Sequence, residues 1–555
     1  MADLEKTASA PALAVENNAK IGSVATNPPK GSHSGLKHAD TNNADAALLF
    51  SQAHAADAVA LTPEQERRLL RKIDWNLMPL LCIVYGLNFL DKTTVSYASV
   101  MGFKAHRGYP PLLPPPSSPP DLPPVLTNQD DVHLINQDYS WVASMFYFGY
   151  LVWEWPTNYL LQRLPLAKWS AANVIAWGIV LCCMAAVNSF ASAMAVRFLL
   201  GVFEAAVSPG FALFTSQWYT VNEQGSRVGI WFAFNGIGQI VGGFVAYGIA
   251  VGTKSHPLAG GNLHSWQLLF LVIGLFTAAV GVVFLWIMPD NQMNARFLTE
   301  EERMQAIERI RVNQQGIGNK NFKMYQLKEA LTDPVVWALV FYGLVADIPN
   351  GGITNFFSQL IVSFGFTNEQ SLLLGAPAGL IEAAALAGCG ILGDRLHNRL
   401  LVSIAGVAAS FIGMLLVAVL NNSPGQRIGR LIGCLLMQMS PTSFVALLSL
   451  IATNIAGWTK KTTVAAMYLI AYCVGNIIGP QVFRAKDAPD YRPAEITILV
   501  CYALCIVDVL FIYFWWRRQN ALKVQARAAP GYRKVMGQEF YDLTDRENPE
   551  FNYAL

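Results

Sequence analysis

The sequence predicts an all-α integral membrane protein of twelve transmembrane helices in two six-helix bundles. Of its 555 residues, 53% are hydrophobic and 14% charged, whereas a soluble chain is nearer a quarter charged. The apolar residues gather in runs of about 20, the length that crosses roughly 30 Å of hydrocarbon at 1.5 Å per residue. A basic loop near the middle divides these runs six and six, a layout in which a cavity near the bilayer midplane lies between two bundles. Alternating strands of the porin type do not occur.

In chain order, residues 1–60 are rich in Ala, Asn and Ser. They lack the compact apolar core of a secretory signal and read as a disordered cytosolic tail. In "LTPEQERRLLRKIDW", Thr62 caps a helix with Pro63 in its first turn and Gln65 closing a capping box. The N-terminal bundle, 61–288, holds runs near 77–101, 141–162, 170–189, 191–219, 228–251 and 266–288. A Pro-rich loop at 104–134 separates the first two runs. Nine prolines between Pro110 and Pro124 favour polyproline II or no fixed structure, and residues 106–131 read as a neutral insertion or a retained intron. The central cytosolic loop, 289–334, contains "LTEEERMQAIERIRVN", where Thr299 and Glu302 form a second capping box. Both charged stretches read equally as interfacial or as solvated helices. The C-terminal bundle, 335–516, holds runs near 335–363, 371–392, 400–420, 428–453, 462–483 and 496–516, and 517–555 is a second cytosolic tail. The eight cysteines all lie within the runs, where they act as small apolar packing residues with no disulfide framework.

With both termini inside, the segments flanking the spans hold 24 Lys and Arg on the cytosolic side and eight on the other. The positive-inside rule then sets the topology, with both ends cytosolic. Five further basic residues sit in the distal tails, which leaves Lys92 and Arg197 within the membrane. Asp91 lies about 21 Å along the first span and Arg197 about 9 Å below the far surface, at matching depth. Glu204 follows Arg197 by two helical turns on the same face, about 10 Å deeper, and is expected to hold Arg197 when ionised. Asp91 and Lys92 point about 100° apart and each needs a partner elsewhere. Charges in hydrocarbon cost roughly 3 kcal/mol or more apiece unless they are paired or face water, which marks them as functional candidates over a merely structural network.

Asp347 precedes "IPNGG", where Pro349, Gly351 and Gly352 are expected to weaken or break the seventh helix where it lines the cavity. Asp347, Asn350 and Asn355 are therefore candidate wall residues. Tyr147, Tyr150 and Trp153 are candidate substrate contacts, against a packing role; Glu154 and Glu382 stay open, and Asp508 reads as packing. "GIGQIVGG", 236–243, supplies small residues for close helix contact. Nothing has the form of a nucleotide-binding loop, a metal site or a nucleophile with its base. The chain is expected to be neither an enzyme nor an ATP-driven pump, with no cofactor, no metal and no nucleic acid.

"GILGDRLHNR", 390–399, resembles the loop motif of the major facilitator superfamily. The resemblance implies a gating role for Asp394, Arg395 and Arg399; the corresponding N-terminal loop has Gln162 where the acid would stand. "NFLDKTTVSYASVMG", "FYFGYLVWEWPTNYLLQRLP", "RFLLGVFEAAVSPG", "IPNGGITNF" and "NIIGPQVFRAKDAPDY" together resemble the fungal allantoate permease group of the anion:cation symporter branch. That group carries small organic anions such as allantoate, ureidosuccinate, nicotinate, pantothenate and biotin. The resemblance implies the major facilitator fold, proton coupling at Asp91 and Glu204, and anion binding at Lys92 and Arg197. The expectation is proton-driven uptake of a small carboxylate by alternating access, by a monomer in the lipid bilayer. Proton-driven export of a metabolite and a nontransporting nutrient sensor are the alternatives.

Overall fold

The computed structural model describes residues 62–103, 134, 137–256, 263–311, 322–396, 398–421, 423–488, 490–529, 532 and 543–555. The tail at 1–60 and the Pro-rich insertion lie outside the described residues.

The N-terminal half is built from α1 (Pro63–Ala98, with a π turn to Phe103), α2 (Asp138–Arg163), α3 (Leu166–Cys183), α4 (Phe190–Glu204), α5 (Val207–Trp218), α6 (Val221–Ser255) and α7 (Ser265–Ile287). Two short helices follow, α8 (Glu300–Arg311) and α9 (Met324–Thr332). The C-terminal half comprises α10 (Pro334–Ser363), α11 (Asn368–Leu396), α12 (Arg399–Val419), α13 (Arg427–Met437), α14 (Pro441–Asn454), α15 (Trp458–Val482) and α16 (Arg492–Ala528). Eleven spans among the described residues are long and apolar enough to cross a membrane. The twelfth crossing is α2, whose 26 residues reach about 39 Å but whose Tyr, Trp, Glu154 and Arg163 lower its hydropathy. Outward faces expose large apolar side chains, with Trp155 79%, Trp286 80% and Leu275 64% accessible, a surface suited to lipid.

Two crossings predicted as unbroken are split. The fourth breaks at Ala205–Ala206 between α4 and α5, because Pro209 has no N–H for the Ala205 carbonyl and its ring crowds that carbonyl. The tenth breaks between α13 and α14, where Pro441 starts the second segment. The seventh shows the reverse. It is one continuous helix with Pro349 inside, and its glycines serve another purpose: a Cβ on Gly351 would sit 2.7 Å from the Asn476 carbonyl oxygen, and one on Gly352 2.7 Å from the Phe483 ring. The expected break is therefore a site of close approach to α15.

Both capping boxes form. The Thr62 N–H donates to Gln65 Oε1 at 3.0 Å and the Gln65 N–H to Thr62 Oγ1 at 3.3 Å; Thr299 and Glu302 repeat the exchange at 2.9 and 3.3 Å. The first charged stretch is the opening of α1 itself and not a separate helix. The second, α8, is tied to the N-terminal half by Lys72–Glu302 at 2.6 Å, Arg309–Glu66 at 3.1 Å and Arg309–Glu223. Burial works against the Glu302 anion, but Lys72 and the Thr299 N–H hold its carboxyl below the usual range. In the C-terminal half, fully buried Lys460 gathers Glu329 of α9, Asp333 and Asp545 at 2.9, 3.1 and 2.8 Å. Residues 543–555 thus fold back onto the bundle, and the Leu555 carbonyl accepts from the Arg399 N–H at 2.7 Å. The face carrying these groups and the start of α1 is called the basic face below.

The two halves meet toward the opposite face. Tyr139 Oη donates to the Asn355 carbonyl at 2.7 Å, Ser144 Oγ to the Ile477 carbonyl at 2.8 Å, and the Ser358 N–H to Ser96 Oγ at 3.1 Å. Midway down, α6 and α11 touch backbone to backbone: a Cβ on Gly379 would strike the Gly236 carbonyl oxygen, and one on Gly236 the Gly379 carbonyl oxygen. Nearer the basic face, Gly225, Gly229, Gly388 and Gly390 have open space around them. "GIGQIVGG" is thus a brace, with Gly238 against Gly86 of α1 and Gly236 against α11. Gly379→Val should push α6 from α11, costing about 1–3 kcal/mol. Thermal unfolding of the purified variant should fall by several degrees, whereas Gly388→Ala should leave it unchanged or slightly raised; equal behaviour of the two would show that this contact is not tight.

Candidate functional site

Asp91, Lys92, Arg197 and Glu204 form one charge cluster in the N-terminal half. Asp91 and Glu204 are fully buried and Arg197 is 2% exposed. Two ion pairs link α1 to α4: Lys92 Nζ to Glu204 Oε1 at 3.0 Å, and Arg197 Nη1 to Asp91 Oδ1 at 3.8 Å. The expected Arg197–Glu204 pairing does not form, because α1 presents a counter-charge to each: Asp91 to Arg197 and Lys92 to Glu204. Asp91 Oδ2 accepts from Trp177 Nε1 at 2.7 Å, and Lys92 Nζ donates to Asn88 Oδ1 at 3.1 Å. The Phe146 ring lies against both cations, 5.7 Å from Lys92 Nζ and 5.1 Å from Arg197 Cζ, within cation–π range. Glu204 is the last residue of α4, so the kink that Pro209 imposes falls at the cluster.

Lys92 is the member of the cluster that reaches a cavity between the halves. Its walls include Tyr85, Asn88 and Lys92 of α1, Tyr147 of α2 and Asn235 of α6; across from them stand Asp347 and Asn350 of α10, Glu382 of α11, Ser440 before α14, and Tyr472 of α15. The cavity measures ≈ 90 Å³, where roughly 10–15 Å³ is enough to hold one water. A second, smaller cleft near Thr93, Ser96 and Gln239 lies toward the opposite face.

Of the proposed substrate-contact residues, Lys92, Tyr147 and Asn350 line this cavity. Arg197 and Tyr150 are packed behind it, the latter against Phe146 with ring centroids 6.2 Å apart. Asn355 belongs to the closure between halves, its carbonyl taken by Tyr139 and its Nδ2 by the Gly351 carbonyl at 2.8 Å. Asp347 does line the cavity, with Oδ1 accepting from Asn350 Nδ2 at 3.3 Å and Asn476 Nδ2 at 3.1 Å. Sequence reasoning assigned no role to Asn476, Asn88 or Asn235, although a carboxamide inside an apolar run is the signal that marks all three. Arg430 also escaped it: counted with a loop, it is 4% exposed within α13 and pairs with Glu495 at 2.9 Å. The gating candidates sit at the basic face, away from the cavity. Arg399 Nη1 donates to Ser449 Oγ at 3.0 Å, Arg395 is exposed, and the Asp394 side chain is outside the described part of the structure.

A paired cation on the wall of a midplane cavity between two six-helix halves defines a secondary-transporter architecture. The comparisons make the class specific. Residues 81–480 match the model of the Major Facilitator Superfamily, and the chain belongs to that superfamily. It is 40% identical over 507 residues to an uncharacterized transporter of Schizosaccharomyces pombe, covering 91% of this chain and 93% of that one. It is 36% identical over 518 residues to the allantoate permease of Saccharomyces cerevisiae, covering 91% and 89%. Among solved structures, the xylose transporter XylE from E. coli superposes with a TM-score of 0.56 at 14% identity, covering 79% of this chain and 98% of that one. A bacterial homolog of the human lysosomal transporter Spinster gives 0.54 at 14% identity, covering 82% and 98%. The protein is a multi-pass membrane transporter.

Proposed function

We propose that this transporter takes up a small organic anion together with protons, by alternating access at the cavity that Lys92 enters. The observation carrying the proposal is the Lys92–Glu204 pair at 3.0 Å, with Lys92 15% and Glu204 0% exposed at the side chain. A cation on a cavity wall attracts a carboxylate strongly in low dielectric, and an ionised Glu204 competes for that cation. When a proton adds to the Glu204 carboxylate, Lys92 is released to bind the substrate anion; when Glu204 gives the proton up, it reclaims Lys92 and the anion leaves. Asp91, held by Trp177 and Arg197 behind the wall, keeps α1 and α4 in register and is the second proton-coupling candidate. Arg197 acts on the anion through the field it adds behind Lys92.

The basic face faces the cytosol in this proposal, because the 24 flanking Lys and Arg favour that side. Both termini are then cytosolic, and a plasma-membrane monomer with bundles at 61–288 and 335–516 suffices for function. The similarity to the allantoate permease supports a carboxylate of that size as cargo. Purified protein in liposomes, given an acid-outside gradient and labelled allantoate or a related carboxylate, should accumulate it and cease to when a protonophore collapses the gradient. Accumulation indifferent to the protonophore would overturn proton coupling, and failure of every carboxylate tested would overturn the anion reading.

A further inference from the structure

Residues 543–555 return to the basic face and grip the hairpin formed by α14 and α15. Asn454, fully buried at the last position of α14, exchanges two hydrogen bonds with Ala554: Nδ2 donates to its carbonyl and Oδ1 accepts from its N–H, both at 2.8 Å. In the turn that follows, the Ala456 N–H donates to Asp545 Oδ1 at 3.3 Å, and Lys460 in the first turn of α15 pairs with the same oxygen at 2.8 Å. The other side of the segment is fastened to α16. There Asn520 makes the same two-bond exchange with the backbone of Tyr553, again at 2.8 Å, and Lys523 Nζ donates to the Asn548 carbonyl at 2.8 Å. Main-chain hydrogen bonds of this kind hold an extended peptide in a groove.

The charges are arranged so that the segment can leave. It brings one acid and one base to the cluster: Asp545 to Lys460, and Arg546 to Asp333 at 2.8 Å. Without them Lys460 keeps Glu329 and Asp333, at 2.9 and 3.1 Å. Departure therefore strands no buried cation, the outcome that makes a broken buried pair costly. The opposite end of the hairpin stands at the cavity, whose wall includes Ser440, Pro441, Phe444 and, on α15, Tyr472. At that end the chain passes from α13 to α14 through tight turns in which each N–H bonds three residues back. The Met437 carbonyl, which Pro441 has no N–H to meet, is held by the Ser440 N–H and Ser410 Oγ at 3.2 and 3.1 Å. No α-helical ladder runs through this joint, so α14 is an arm jointed at the cavity and bolted at the basic face.

We propose that residues 543–555 are a releasable clasp that restrains the α14–α15 hairpin and slows turnover. The arm pivots at Ser440–Pro441 when cargo passes between the cavity and the basic face, and the clasp resists because its hydrogen bonds are met only in the bolted position. The proposal needs the transporter class and the cavity, and not the identity of the cargo.

Hydrogen–deuterium exchange of the purified full-length protein tests the restraint without cargo. In Asn454→Ala and, separately, Asn520→Ala, exchange should quicken about three- to tenfold, the worth of one hydrogen bond, in 543–555 and 441–457 together. Helices α3 and α7 of the N-terminal half should keep their wild-type rates. Asn520 bonds to the clasp and to no hairpin residue, so its effect on 441–457 passes through the clasp; it also stands in if Asn454→Ala is not recovered folded. Uptake of labelled allantoate into liposomes then reads turnover. The maximal rate should rise in both variants by up to about tenfold with KM unchanged, whereas a merely loosened fold would lower the rate or raise KM. Exchange that quickens in 543–555 alone, or a maximal rate at or below wild type in both variants, would overturn the clasp. A wild type that carries no allantoate would count against the anion reading alone, and the exchange result would then decide.

Discussion

Glu204→Gln should still bind substrate and exchange it across the membrane, yet lose proton-driven accumulation. The carboxamide imitates the protonated carboxyl, so Lys92 is released permanently, and no proton can be given up on the inner side to reclaim it. The pairing in the structure also settles what the change does to folding. Glu204 holds Lys92 at 3.0 Å, while Arg197 keeps Asp91 as its own partner at 3.8 Å. The cation set free is therefore the one that reaches the cavity, where water or substrate meets it, and not the one that is 2% exposed. The variant should reach the membrane at near wild-type levels. Counterflow and gradient-driven uptake measured on one reconstituted preparation give the outcome: retained counterflow with lost accumulation is expected, and intact accumulation would exclude Glu204 as the essential proton carrier.

Lys92→Ala should abolish transport and also weaken the fold. It removes the cation for the substrate anion, a loss of about 10- to 100-fold in affinity for a charge-assisted contact. It also leaves Glu204 fully buried without its counter-ion, and breaking a buried pair from one side costs about 3–5 kcal/mol. The two effects separate in the double variant Lys92→Ala with Glu204→Gln. Removing the orphaned charge should restore thermal stability to within about 1–2 kcal/mol of wild type, but not substrate binding. Binding regained in the double variant would place the anion site elsewhere; stability lost to the same degree in both would show that Lys92 acts through packing against Phe146 and Asn88 and not through charge.

The individual charged residues were legible in the chain because hydrocarbon tolerates few of them, so Asp91, Lys92, Arg197 and Glu204 stood out by cost alone. Their pairing was not legible. Helical periodicity places Arg197 and Glu204 on one face of α4, but it carries no information about the rotation of α1 against that face. The grouping of the carboxamides was hidden for a different reason. Asn88, Asn235 and Asn476 lie on three separate helices, and no local pattern signals that a cavity joins the first two or that Asn476 orients Asp347. The "IPNGG" segment of α10 shows how one local cue reads two ways: Pro and Gly weaken a helix in isolation, yet α15 packs against Gly351 and Gly352 closely enough to keep α10 continuous.

The amino-acid sequence by itself determined the membrane class, the number and approximate limits of the crossings, both capping boxes and the charges Asp91, Lys92, Arg197 and Glu204 within the spans. Each follows from the chain's own composition and spacing against a 30 Å apolar slab. The tertiary structure alone decided that Glu204 answers to Lys92 and Arg197 to Asp91, that Arg430 is buried against Glu495, that residues 543–555 close over Lys460, and that Asp347 and Glu382 face Lys92 across a cavity. These depend on which helices touch and at what rotation, and the packing of small residues such as Gly236 against Gly379 sets both, through contacts between residues far apart in the chain.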